Sequence, residues 1–124
     1  MSIVTKGNKM SRYKELVSRQ RKMRMVSFIA SADGLTLSGP DSLNMTMADT
    51  GTGIKTLTLS EPFADANYIV MVTTATADSV AQVSISSKSE FIINTFDSTD
   101  GTTAKDAICH VMVLGSDTTD KFKG

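Results

Sequence analysis

From about residue 22 onward, polar and apolar positions alternate along most of this chain, with the period of two that a half-buried strand imposes. Leu43, Met45 and Met47 are separated by Asn44 and Thr46, while Ala81, Val83 and Ile85 alternate with Gln82 and Ser84. Leu57 and Leu59 alternate in the same way with Thr56 and Thr58. The pattern predicts strands over residues 23–30, 35–37, 43–47, 54–59, 68–75, 80–86, 91–96 and 108–114. Two runs break the alternation. Tyr68-Ile69-Val70-Met71-Val72 and Val111-Met112-Val113-Leu114 are apolar at every position, which predicts central strands buried on both faces or strands lying in a subunit interface.

Asp33-Gly34, Gly39-Pro40-Asp41, Asp49-Thr50-Gly51-Thr52-Gly53, Ser87-Lys88-Ser89 and Asp97-Ser98-Thr99-Asp100-Gly101 separate these segments, and all are turn chemistry. About seven or eight short antiparallel strands at such spacing predict an all-β fold, a β-sandwich or jelly-roll-like barrel. The first residues differ. Residues 1–10 are polar and contain glycine, and residues 11–20 place Tyr13, Leu16 and Val17 at helical spacing behind Ser11 as an N-cap. So short a helix is marginal alone, so this partly helical or extended segment is expected to order against a partner. The chain therefore divides into an arm, residues 1–24, and a β-sandwich domain, residues 25–124.

Composition reinforces the strand reading, because 31 of the 124 residues are Ser or Thr and none is Trp. A single cysteine, Cys109, excludes an intramolecular disulfide and a Cys-rich metal site. Charge changes the picture more. The net charge is zero, yet through residue 24 eight basic residues stand against Glu15 alone, a net of +7, and from residue 25 five basic residues stand against twelve acids, a net of −7. Such asymmetry predicts an arm that docks on an acidic surface. Met25-Val26-Ser27-Phe28-Ile29 follows the basic segment as the apolar part of a signal peptide would, but it is shorter than the ~7–15 residues of such peptides, and the chain is read as unprocessed. No stretch approaches the ~20 apolar residues of a membrane span, so no membrane partner is expected.

Candidate chemistry is sparse. Asp49-Thr50-Gly51 resembles the tripeptide that carries the catalytic aspartate of aspartic proteases, where two carboxylates from a dimer share a proton. Val113-Leu114-Gly115 resembles the apolar-apolar-glycine element further along retroviral-type proteases. Met47-Ala48 and Thr52 depart from that pattern, and no glycine-rich flap lies between the two motifs. Hairpin chemistry accounts for the aspartate without catalysis. Cys109 and His110 are adjacent, so on a strand they point to opposite faces and do not form a nucleophile-base pair. Cys109 is expected to be buried and His110 satisfied or interfacial. Asp97, Asp100, Asp106, Asp117 and Asp120 fall in loops without the ligand spacing of a calcium loop. No cofactor or metal is expected. The basic arm has one aromatic residue, Tyr13, and no nucleic-acid module, so protein docking is favoured over nucleic acid.

The stretch from Gly51-Thr52-Gly53-Ile54-Lys55-Thr56-Leu57-Thr58-Leu59 through Ser60-Glu61-Pro62-Phe63-Ala64-Asp65-Ala66-Asn67 to Tyr68-Ile69-Val70-Met71-Val72 resembles bacteriophage virion β-domains of fibre tips and head-decorating proteins. In these a Gly-x-Gly turn leads into a Thr-rich strand, a Pro-Phe-Ala step and an aromatic-initiated apolar strand. Ser87-Lys88-Ser89-Glu90-Phe91-Ile92-Ile93-Asn94 and residues 108–115 fit the same layout, so the likeness spans residues 51–115. It implies a non-enzymatic virion protein, commonly a homotrimer. The arm fits best a capsid decoration or cement protein whose partner is the major capsid protein or another virion protein. Its expected partner-binding residues are Lys6, Lys9, Arg12, Tyr13, Lys14, Leu16, Val17, Arg19, Arg21, Lys22 and Arg24. The alternatives are a short tail or fibre component that binds a host surface and, from another class, a dimeric aspartic protease using Asp49.

Overall fold

The computed structural model describes residues 23–117. They form an all-β sandwich of two four-stranded antiparallel sheets. The strands are β1 (Met23–Ala30), β2 (Leu37–Ser38), β3 (Met45–Gly51), β4 (Ile54–Leu59), β5 (Ile69–Thr74), β6 (Ser79–Ile85), β7 (Glu90–Asp97) and β8 (Cys109–Ser116). One sheet has the order β2-β1-β8-β5 and the other β3-β4-β7-β6. β1 and β8 pair along their whole length, from Met23 opposite Ser116 to Ala30 opposite Cys109. Residues far apart in sequence thereby form the spine of the first sheet.

Alternation builds the core. Phe28, Cys109, Val111 and Val113 point inward from the first sheet, and Leu57, Phe91, Ile93 and Met45 meet them from the second. The rings of Phe28 and Phe91 lie 6.4 Å apart between centroids. One end of the sandwich is closed by the connection from β4 to β5, where Phe63 and Tyr68 stack at 4.9 Å. The Tyr68 hydroxyl lies 2.8 Å and 3.0 Å from the carbonyls of Ser87 and Glu90 and donates to them. These rings leave no room at position 115, where a Cβ would stand 2.7 Å from both Phe63 Cδ1 and Tyr68 Cβ. Glycine is required there by close approach.

At the opposite end Gly53, with φ of +69°, donates its N–H to Asp106 Oδ1 at 2.7 Å, and its carbonyl accepts from the Thr95 N–H at 2.7 Å. Lys55 is buried in this region, sharing the inward face of Leu57 and Leu59, and its Nζ donates to the Ala107 carbonyl at 3.0 Å. A buried ammonium needs such a partner, because desolvation without a hydrogen bond is costly.

Three strand expectations need correction. The predicted strand at 35–37 is reduced to two residues, Leu37–Ser38, because Asp33 draws the chain into a turn: its Oδ1 accepts from Ser31 Oγ at 2.5 Å and from the Leu35 N–H at 3.0 Å. The predicted strand at 43–47 begins two residues late. Residues Ser42–Asn44 form a 3-10 turn that leaves Leu43 95% exposed, so inward alternation starts at Met45. The apolar run from Ile69 is not a central strand: β5 lies at a sheet edge and pairs only with β8 among the described residues. β8 is central in its sheet, but it too has an exposed outer side at Met112.

Candidate docking surface

The sandwich has two outer faces, and that of the first sheet is apolar. Register places Met25, Leu114 and Ile69 in one row across β1, β8 and β5. Ser27, Met112 and Met71 form the next row, and Ile29, His110 and Thr73 the third. Met25 and Ile69 are 57% and 59% exposed, Met71 49% and Met112 40%. These values exceed what a covered face would show, and a contiguous patch of large apolar side chains marks a docking site. A groove of about 480 Å³ crosses this face, bounded by Ser27, Ile29, Pro40, Met71, His110 and Met112.

The groove's Pro40 wall is held in place by Asp41. Its Oδ2 accepts from the Ser27 N–H at 2.8 Å, and its own N–H donates to the Ser27 carbonyl at 3.0 Å. Asp41 thus replaces a strand neighbour at Ser27, beyond the two positions, Ile29 and Ala30, where the short β2 pairs with β1.

The charged residues singled out from the sequence are placed as follows. Arg24 lies on β1 and is engaged within the domain: its guanidinium sits 4.5 Å from the Phe63 ring centroid, Nη2 donates to the Glu61 carbonyl at 2.6 Å, and Nη1 lies 3.2 Å from Glu61 Oε2. Its charge is met by the exposed Glu61, while its Nε is buried without a hydrogen-bond partner. Lys6, Lys9, Arg12, Tyr13, Lys14, Leu16, Val17, Arg19, Arg21 and Lys22 lie outside the described residues.

Asp49 stands at the end of β3 in the β3–β4 hairpin, where its Oδ1 accepts from the Gly51 N–H at 3.2 Å. Thr50 Oγ1 lies 3.4 Å from Thr56 Oγ1 in the same hairpin. Cys109 is fully buried and burial pushes its thiol pKa up, against a smaller opposing pull from Lys55, so it is a core thiol rather than a reactive thiolate. His110, its neighbour, is exposed on the outer face.

The acidic loop residues hold turns. Asp97 Oδ1 accepts from the Thr99 N–H at 3.0 Å and Thr99 Oγ1 at 2.8 Å, and these bonds lower its pKa. Asp100 accepts from Thr103 Oγ1 and from the Thr103 and Thr102 N–H groups, and the bonds, led by the Thr103 hydroxyl, hold its carboxyl down at about 2. Hydrogen bonds to the ionised form explain the direction. Among the described residues no group of three or more His, Cys, Asp or Glu side chains is placed to hold a metal, and no helix is long and apolar enough to cross a membrane.

Sequence reasoning missed the extent of the outer face. The apolar runs on β5 and β8 signalled it, since one of their two readings was an interface, but Met25 on β1 carried no separate signal. No protein-family model, curated protein or solved structure matches this chain.

Proposed function

We propose that this chain is a non-catalytic structural protein of a bacteriophage virion, a capsid decoration protein whose basic arm docks on the shell while the sandwich projects as a rigid knob. One observation carries the reading: a segment of strongly positive charge leads directly into β1, the strand that opens a sheet with an uncharged apolar outer face. The likeness of residues 51–115 to phage virion β-domains supplies the setting. The mechanism is non-covalent. Arm cations meet acidic groups of the shell, and added interface area opposes shell expansion. Exposed ion pairs contribute only ~0–1 kcal/mol each, so apolar contacts from Tyr13, Leu16 and Val17 supply most of the affinity.

The test is co-sedimentation of the full chain with isolated capsids across a salt series. The expected result is saturable binding that weakens as salt screens the arm and is lost when Arg12, Lys14, Arg19 and Arg21 are changed to Glu. Saturable binding to host cells or surface glycans, with none to capsids, would replace decoration with the fibre role. Peptidase activity abolished by Asp49→Asn would overturn both.

A further inference from the structure

We propose that the outer face of the first sheet is a self-association surface, occupied by the same face of a further copy of this chain. Met25, Ile69, Met71 and Met112 stand there with two-fifths or more of their surface open, in adjacent rows across β1, β8 and β5. The only ionisable group in these rows is His110. No carboxylate lies in these rows: Asp49 on β3 and Glu90 and Asp97 on β7 belong to the second sheet, and Asp41, Glu61 and Asp100 to connections between strands. An uncharged methionine-rich surface is matched by another of its kind, and methionine adapts its shape to such a partner.

Area supports a homotypic contact. Three strands at ~4.8 Å spacing, each with about six residues of ~3.3 Å rise, span roughly 14 by 20 Å in projection. With side-chain relief and the Pro40 shoulder the face reaches the ~500 Å² scale of a functional patch. Two such faces together bury on the order of 1,000 Å², the lower limit of a specific interface. β5 adds to it. Its six residues, Ile69–Thr74, include no charge and no proline, and its register with β8 runs without a bulge. Edge strands that stay free are normally guarded by one of these devices. β6, the edge of the second sheet, lacks these devices too, so it is the apolar rows beside β5 that single out this face.

Self-association does not depend on shell docking. An oligomer that ignores capsids refutes the decoration role alone, and a monomer that binds capsids refutes this surface alone. The experiment is sedimentation velocity on the full chain over a wide concentration range, with Met71→Lys, Met112→Lys and, as a control on the other sheet, Val80→Lys. The expected result is a dimer whose association midpoint Met71→Lys and Met112→Lys each move by at least about ten-fold, since twofold symmetry repeats every substitution in each copy and buries an unpaired charge. Val80→Lys leaves the midpoint in place. Thermal melts of the dissociated variants verify folding, and Met71→Thr serves if a lysine variant fails to fold. A chain that is monomeric throughout, or an oligomer indifferent to substitution at both positions, overturns the proposal. So does a monomeric full chain that begins to associate when residues 1–22 are deleted, because the arm then covers the face.

Discussion

On the outer side of the second sheet, Ala48, Thr56, Ile92 and Ser84 form one row across four strands, and Ile54, Asn94 and Gln82 form the next. The matching rows of the first sheet read Met25, Leu114, Ile69 and Ser27, Met112, Met71. The inner faces do not differ in this way, since both supply large apolar residues to one core. The contrast separates what folding requires from what it does not. A sandwich needs one apolar face per sheet, and β-branched hydroxyl residues outside satisfy strand geometry while remaining wet. The second sheet mixes the two, with Thr56, Ser84, Asn94 and Gln82 beside Ala48, Ile92, Ile54 and Val80, whereas the first carries large apolar residues through two adjacent rows that its own core does not use.

The sharpest way to break this comparison is to truncate one ring from each inner face. Phe28→Ala and Phe91→Ala are each expected to cost about 3–5 kcal/mol, the range for deleting a buried aromatic side chain, and to cost similar amounts because the two rings face each other across the core. Met71→Thr, which gives the first sheet the outer chemistry of the second, is expected to change monomer stability by less than about 0.5 kcal/mol. Urea unfolding below the association range measures all three. A large loss from Met71→Thr would mean that the outer face serves the fold itself.

A smaller effect tests the joint between the sheets. Tyr68 lies on the crossover from the second sheet to the first, and its hydroxyl donates to carbonyls at both ends of the β6–β7 turn. Burial, assisted by the Glu90 carboxylate, raises its pKa from 10.0 to about 12. The folded state therefore favours the protonated phenol. Its contribution is complete below about pH 10 and is lost as pH rises from about 10 to about 12. Ultraviolet absorbance follows ionisation of the phenol, and comparison with Tyr68→Phe isolates the share of Tyr68. Unfolding midpoints of the wild type should fall over this interval more steeply than those of Tyr68→Phe. Parallel losses in the two proteins would remove Tyr68 from the account.

How far the sequence foretold the molecule depends on which interaction set each feature. Strands such as Ile54–Leu59 were legible because burial itself imposes the period of two, and the same period places Lys55 inside with Leu57 and Leu59 although its charge argues otherwise. The short β2 and the turn at Ser42–Asn44 were not legible. The Asp33 side chain captures the Leu35 N–H before β2, and the Asn44 N–H donates to the Asp41 carbonyl in the turn; such local bonds leave no periodic trace. The apolar run from Ile69 to Val72 announced two apolar faces but not which one has a layer above it. Sheet order decided that β5 is an edge, and periodicity carries no information on order. For the candidate docking site, the sequence supplied the charge division and half of the apolar surface, while the alignment of Met25 with Leu114 and Ile69 depends on pairing between distant strands.

The smallest effect concerns Arg24, where the arm and the sheet meet. Its guanidinium lies over Phe63 and is paired with Glu61 by a side-chain contact at 3.2 Å. Glu61 is well exposed and Arg24 is 21% exposed, so solvent screens the ion pair, which is worth ~0–1 kcal/mol, and the ring contact adds ~0.5–1 kcal/mol. Arg24→Ala is thus expected to cost about 1 kcal/mol of sandwich stability. Arg21→Ala, which alters a charge preceding the strand, should leave the unfolding midpoint unchanged. The reverse is expected for capsid co-sedimentation under the proposed decoration role, where Arg21→Ala should weaken binding and Arg24→Ala should not, because a cation already paired with Glu61 has less to offer a shell. If the two substitutions instead act alike on both measurements, the division between a docking arm and a self-contained first sheet does not fall at the start of β1.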